Sequence, residues 1–317
     1  MRVLLTGASS FTGCWFARAL IEREAEVTAL LAGPRNDGRA DRDVRLATLP
    51  AEVGLIDRAP FGTPAFLNAI TRLGPFETAC LHGSQVGDHR SRHFDVEAAV
   101  EANTLNADTV MARLADSGCR RMIVTGSVFE AGEGVGDGTD RSIGGYGEAK
   151  SRSSLRLIDA ATARGLDAIK FTIANPFGPL EKSGFTTYLA RTWLAGDRPF
   201  VEAPSRVRDN LHVDLLARLY ARVATGELDV PGGRLAPSGY RETLLEFATR
   251  FGREIGERLK IPTPLAHSVE TPADQPTVRV ASDPIERLVT PIRYEQAWDR
   301  LAAFYAGMGR ASVILIS

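Results

Sequence analysis

Lysine is scarce in this chain. It fills four of 317 positions, cysteine fills three, and nowhere does an apolar run reach about 18 residues. The missing run excludes a membrane-spanning helix. Met1-Arg2-Val3-Leu4-Leu5 also passes at once into the polar turn Thr6-Gly7, so no secretory leader is expected and the protein is read as cytoplasmic. Cys14, Cys80 and Cys119 are too few for a disulfide framework and lack metal-ligand spacing, so they are expected to be buried thiols, with no metal site. Positive charge is therefore almost all arginine. It is spread along the chain and balanced by acids to a formal net charge of −1, which argues against a nucleic-acid partner. What remains is a globular chain long enough for one elaborated domain or a domain with a second lobe.

What is present alternates. Residues 1–5, 26–31, 77–81, 121–125 and 168–173 have strand character, while residues 12–24, 64–73, 96–116 and 145–164 have helical spacing. This rhythm predicts a Rossmann-type α/β fold, a doubly wound parallel sheet covered by helices on both faces. After Asn175 the rhythm loosens into helices at 185–195 and 242–259 among proline-bearing loops, a smaller C-terminal substrate lobe. The expected division is 1–174 with 207–240 for the sheet domain, and 175–206 with 241–317 for the lobe.

Two stretches carry chemistry. The first, TGASSFTG, joins strand to helix with Gly7 and Gly13 six apart, but Ser10 holds the middle place where a dinucleotide site has its second glycine. The residues alone leave it open between a pyrophosphate cradle, with amides near Phe11 and Thr12, and a plain turn. The second, GGYGEAK, puts Tyr146 and Lys150 one turn apart on one helix face, where an ammonium would favour the phenolate. A solvated pair on an exposed helix is the other reading. Ser127 follows the strand at 121–125, at the sheet edge where ligands collect.

A glycine turn, a serine after a later strand and a Tyr-x-x-x-Lys helix, in this chain order, resemble the short-chain dehydrogenase/reductase superfamily. CLHGS around His82, EANTLNA with Asn103, NPFGP at 175–179 and RDNLHVDLLARLY from Arg208 are similar to its extended branch, the NAD(P)-dependent epimerase/dehydratase type that modifies nucleotide sugars. The resemblance covers about residues 1–225. It implies that Ser127 hydrogen-bonds the reacting oxygen, Tyr146 transfers its proton and Lys150 assists, with Asn175 and Arg208 on the substrate's phosphates. It further implies NAD(P) held by Gly7, Ser9, Ser10, Phe11, Thr12, Gly13, Arg35, His82, Gly83 and Asn103 together with Tyr146 and Lys150, in a homodimer paired through the helices at 96–116 and 145–164.

Several positions depart from that pattern. Leu31 ends the second strand where an acid would exclude a 2′-phosphate, and Arg35 follows, so NADP is slightly favoured over NAD. Val128-Phe129 stand where the family's sugar 4,6-dehydratases carry an Asp-Glu pair, which argues against elimination. Thr271 lies near the place of a late clamp arginine, with Arg279 further on. The expected function is epimerisation or ketone reduction of a nucleotide-activated sugar at C4. Two other readings stand beside it: a carbonyl reductase of a small phosphate-free ketone or thioester, and an NAD(P)-sensing regulator. Arg208 has an alternative as a surface partner of Asp209, and His212 and Asp214 are expected to organise a loop.

Overall fold

The structure, a computed structural model, describes residues 1–85, 87, 94–291 and 293–314. Along the chain come β1 (Arg2–Thr6), α1 (Phe11–Ile21), β2 (Glu26–Leu30), α2 (Ala40–Ala47), β3 (Gly54–Ile56), α3 (Pro64–Leu73), β4 (Thr78–Leu81), α4 (Val96–Thr104), α5 (Ala107–Asp116) and β5 (Arg121–Ser127). There follow β6 (Val135–Gly136), α6 (Gly144–Thr162), β7 (Asp167–Ile173), β8 (Asn175–Phe177), α7 (Phe185–Leu194), β9 (Phe200–Val201), β10 (Val207–His212) and α8 (Val213–Ala224). The rest holds β11 (Arg234–Leu235), β12 (Pro237–Ser238), β13 (Tyr240–Thr243), α9 (Leu244–Leu259), β14 (Ala266–His267), β15 (Val278–Val280), β16 (Asp283–Pro284), α10 (Ile285–Leu288) and α11 (Tyr294–Ile314). None of the described helices is long and apolar enough to cross a membrane.

Two compact units divide the chain. The first comprises Met1–Gly134, Thr139–Ile173 and Ala217–Ala236; the second comprises Val135–Gly138, Ala174–Leu216 and Pro237–Ser317. Residues 207–216 thus fall in the second unit rather than with the sheet domain. The reason is pairing: β10 bonds to β8, β13 and β15, not to the large sheet.

The first unit is a seven-stranded sheet in the order β11-β7-β5-β4-β1-β2-β3, with every pair parallel. Its inner strands are buried almost throughout, as the apolar runs of β1, β4 and β5 require of a sheet covered on both faces. The order reverses between β1 and β4, so the C-terminal ends of these two strands form the switch point of a doubly wound sheet. Phe66, Ile70, Val110, Leu114 and Leu157 belong to the core that the helices close over the sheet. Phe16 and Tyr220 stack at 3.9 Å between ring centroids.

Local chemistry sets the ends of the helices. Ser10 and Thr63 cap α1 and α3 by accepting from Gly13 N and Phe66 N. The helix expected over 96–116 is two helices, because Asn106 takes a left-handed conformation (φ 51°) and its side-chain amide donates to the Gly62 carbonyl at 2.9 Å.

The second unit has a smaller sheet in the order β13-β10-β15-β6, with β8 also on β10. A capping box between Thr243 and Glu246 starts α9. Phe177, Trp193, Phe247, Phe251, Trp298 and Tyr305 are buried together as its core.

Candidate functional site

At the switch point the chain leaves β1 through Gly7, whose φ of 78° suits glycine, and any side chain there would lie 2.7 Å from the Gly83 backbone. The loop after β4 is thus pressed against the turn after β1. Gly83 N donates to Thr6 Oγ1 at 2.8 Å, and the Ser10 and Thr12 hydroxyls lie 3.0 and 2.9 Å from His82 Nε2. Ser10 Oγ also accepts from Gly13 N at 3.0 Å, so the serine in the middle place is used within the turn. Phe11 and Thr12 open α1, where the first amides have no intrahelical acceptor and the helix dipole favours an anion. Burial, and next the Lys150 ammonium, push His82 down to about 3, so it is neutral. Asn103 is buried, and its amide spans the Gln85 backbone, accepting from N at 2.7 Å and donating to O at 3.0 Å. It therefore shapes the loop that carries His82. Gly7, Ser9, Ser10, Phe11, Thr12, Gly13, His82 and Gly83 sit together at this edge or in the loops that form it.

Ser127 ends β5. Its Oγ accepts from Phe129 N at 3.2 Å, and Ile143 N, just before α6, donates to the Phe129 carbonyl at 2.8 Å, tying the start of α6 to the segment after Ser127. Lys150, one turn beyond Tyr146, is buried and donates to the Thr125 carbonyl at 2.6 Å. The strand tip and the helix are thereby locked together. Burial first, and the Glu130 carboxylate second, push the Tyr146 phenol up to about 12, against the lowering expected from Lys150. Burial also lowers Lys150. Its ammonium is aimed at a carbonyl, and the Glu130 carboxylate acts on both members of the pair.

In the second unit Arg208 is buried, 4 % exposed, so it is not the surface partner of Asp209. The Asp209 carboxylate instead accepts from Gly239 N at 2.7 Å and Ala281 N at 3.0 Å. Arg208 donates to the Val207 and Thr277 carbonyls and to Gln275 Oε1, all uncharged. Arg279 stands opposite it in the parallel register of β10 and β15 and is fully buried. Burial, with Arg206 and Arg279 next, pushes Arg208 down to about 10. Asn175 lies half-buried on β8, paired in register with Asn210. His212 Nδ1 accepts from Asp214 N at 3.2 Å, and Asp214 pairs with Arg300.

The NAD dependent epimerase/dehydratase family model matches residues 3–234. The chain belongs to that family. No curated protein matches it by sequence. Among solved structures it is similar to a UDP-glucose 4-epimerase of Thermus thermophilus in complex with NAD, at 17% identity and a TM-score of 0.73 over 97% of this chain and 99% of that one. It is also similar to a UDP-glucuronic acid 4-epimerase of Bacillus cereus, at 13% identity and a TM-score of 0.76 over 97% and 100%. A UDP-N-acetylglucosamine 4-epimerase of Methanobrevibacter ruminantium gives 14% and 0.74 over 97% and 98%.

For a family of this name the region after β2 bears on the cofactor. Leu31 is buried and offers no polar group. Arg35 is exposed and donates to the Leu55 carbonyl, while Asp37, six residues beyond Leu31, folds back so that its Oδ2 lies 3.9 Å from where a Gly33 Cβ would be. Arg39 holds that carboxylate down at about 2, with Arg42 3.4 Å away. An acid therefore does lie near the end of β2, brought there by a loop that the sequence spacing did not reveal.

Two other residues lie outside the expected site. Arg206 is 8 % exposed, donates to Asp274 Oδ1 at 2.6 Å, and leaves its buried Nε without a partner. Thr271, at the expected place of a clamp arginine, bonds Ser205 next to Arg206 at 2.6 Å between hydroxyls.

Proposed function

We propose that the protein is an NAD-dependent epimerase of a nucleotide-activated sugar, acting at C4 with Tyr146 as acid and base. The observation that carries the substrate class is Arg208: a guanidinium held out of water on uncharged oxygens, beside Arg206 and Arg279, is a costly arrangement that a diphosphate would neutralise. The structural neighbours named for UDP-sugar epimerases support the same reading. A phosphate-free carbonyl substrate would bring no anion to the Arg208 guanidinium.

The turn residues fit a dinucleotide. Phe11 and Thr12 amides would hold its pyrophosphate, and the Asp37 carboxylate near Gly33 favours NAD over NADP, reversing the weight given to Arg35. Bound there, the dinucleotide would supply a hydride acceptor and donor. Lys150 uses one of its three N–H donors on Thr125 and keeps two for a ribose hydroxyl. Ser127 Oγ accepts from Phe129 N, which leaves its own proton to donate to the sugar oxygen. Tyr146 Oη would exchange a proton with the sugar hydroxyl that Ser127 holds. Elimination would need an acid pair after Ser127; Val128 and Phe129 cannot serve, and Glu130 is engaged by Ser127 N, Ser154 and Lys170. Leu155, half-exposed on α6 between the Arg152–Glu97 and Arg156–Asp108 pairs, supports a homodimer through this helix.

The test is a screen of UDP-sugars with NAD and NADP by thermal shift, followed by turnover on any binder. A UDP-sugar that raises the melting temperature should be interconverted with its C4 epimer, and Tyr146→Phe should lower that turnover by roughly 100-fold or more while still binding NAD. Retention of more than half the turnover by Tyr146→Phe, or stabilisation by small ketones but no UDP-sugar, would overturn the reading.

A further inference from the structure

Directly behind Ser127 lies a cluster of buried charge that the proposed chemistry does not use. Glu130 is fully buried, Glu133 and Lys170 nearly so. Glu130 Oε1 accepts from Ser127 N at 2.7 Å. Its Oε2 accepts from Ser154 Oγ on α6 at 2.7 Å and pairs with Lys170 Nζ on β7 at 2.6 Å. Lys170 also reaches Glu133 at 2.9 Å; Glu133 in turn accepts from Thr172 Oγ1 at 2.8 Å and pairs with Arg234. β5 comes so close to this cluster that a Cβ at Gly126 would lie 2.9 Å from Lys170 Cε and 3.1 Å from Glu130 Oε1.

A cluster that served only to join β5, β7 and α6 could be built more cheaply from apolar side chains, since burying charge costs several kcal/mol per ion before pairing repays it. Glu130 sits instead where β5 ends in Ser127 and where α6 carries Tyr146 and Lys150. We propose that Glu130 is the positioning residue of this trio: its carboxylate, anchored by Lys170 and Ser154, fixes the backbone of Ser127 and supplies the standing negative charge against which Tyr146 and Lys150 are set. The proposal rests on the acid–base reading of Tyr146. The charged groups around it are Lys150 on α6, Lys170 on β7, Glu133 after β5 and Arg234 on β11, with neutral His82 beside Lys150. Glu130 raises both Tyr146 and Lys150, and Lys170 opposes it at Lys150. Loss of the carboxylate should therefore make the phenol easier to ionise.

The experiment is an alkaline NMR titration of the whole protein carrying carbon-13 at the tyrosine ring, with NAD bound, the Tyr146 signal being the one absent from Tyr146→Phe. Glu130→Gln should lower the Tyr146 midpoint by about one unit, the scale of one nearby charge, and leave the other five tyrosines in place. Glu130→Gln paired with Lys170→Met removes the Glu130–Lys170 ion pair as a unit, is the easier variant to fold, and should lower the midpoint too. Ser154→Ala keeps the carboxylate, so it should reduce stability without moving the midpoint. An unmoved Tyr146 midpoint in the folded single or double variant, or an equal shift in Ser154→Ala, would overturn the proposal. Because the readout is ionisation, it can fail while Tyr146→Phe still abolishes turnover, which would leave the acid–base reading standing.

Discussion

The two units bury charge in opposite ways. In the first, Glu130 and Glu133 face Lys170 and Arg234, so each buried ion meets its opposite. In the second, Arg208 hydrogen-bonds only carbonyl and amide oxygens; Arg206 and Arg279 nearby carry the same sign, and the one carboxylate acting on it, Asp274, is already paired with Arg206. A compensated cluster is complete without a ligand and can act only by holding its surroundings. An uncompensated one is a standing cost that an anion would remove. Under the proposed function the contrast would separate residues that position chemistry from residues that meet a substrate, and it can be tested one charge at a time.

The largest effect is expected from removing one side of the compensated cluster. Lys170→Met leaves Glu130 and Glu133 buried with too little positive charge, and should cost roughly 3 to 5 kcal/mol of stability in urea unfolding. Adding Glu130→Gln should recover part of that loss, because the remaining Glu133 still has Arg234. If Lys170→Met unfolded within about 1 kcal/mol of the parent, the cluster would be less tightly paired than its geometry indicates.

Removing charge from the other cluster should behave differently. Arg208→Met is expected to leave the unliganded protein about as stable as before, since it deletes a buried charge whose hydrogen-bond partners are all uncharged. The same change should weaken UDP about 10-fold to 100-fold in calorimetry, or roughly 1.4 to 2.7 kcal/mol. A variant that lost stability but bound UDP normally would make Arg208 a structural residue and erase the contrast.

Legibility in the sequence follows the same line. The sheet was readable because its strands are short apolar runs at regular spacing, and so was the placement of Ser127 at a strand end and of Tyr146 and Lys150 one turn apart on a helix. Glu130 was passed over since, in sequence, it is only the residue after Val128-Phe129; its meaning comes from Lys170 on another strand. Arg206 gave no signal because its neighbours Thr271 and Asp274 arrive from a loop more than sixty residues on. The break at Asn106 was masked by apolar spacing that continues across it, and the short β3 has too few residues to show a period. Contacts distant in sequence, not the elements, were the hidden part.

The smallest effect concerns a group that the second unit keeps neutral. His212 is buried, its Nδ1 accepting from Asp214 N and its Nε2 without a partner. Burial, and next Arg300, hold it down at about 3 against an ordinary value of 6.5. Between those two pH values the unfolded chain binds a proton that the folded chain refuses. Its contribution is therefore full above 6.5 and is lost as pH falls towards 3, with a slope approaching about 1.4 kcal/mol per unit. His82, also held down at about 3 by burial, acts in the same direction and is unchanged when only His212 is replaced. In His212→Asn the side-chain oxygen can still accept from Asp214 N, so the variant should lose little at pH 8. On going to about pH 5 it should escape roughly 2 kcal/mol of the parent's loss, read as a smaller shift of the urea midpoint between the two pH values. Carboxylates titrate in both proteins alike, so the difference isolates the histidine. An identical acid slope would mean that His212 can take up its proton inside the fold, and that burial beside Arg300 is a weaker barrier to positive charge than the Arg208 cluster implies.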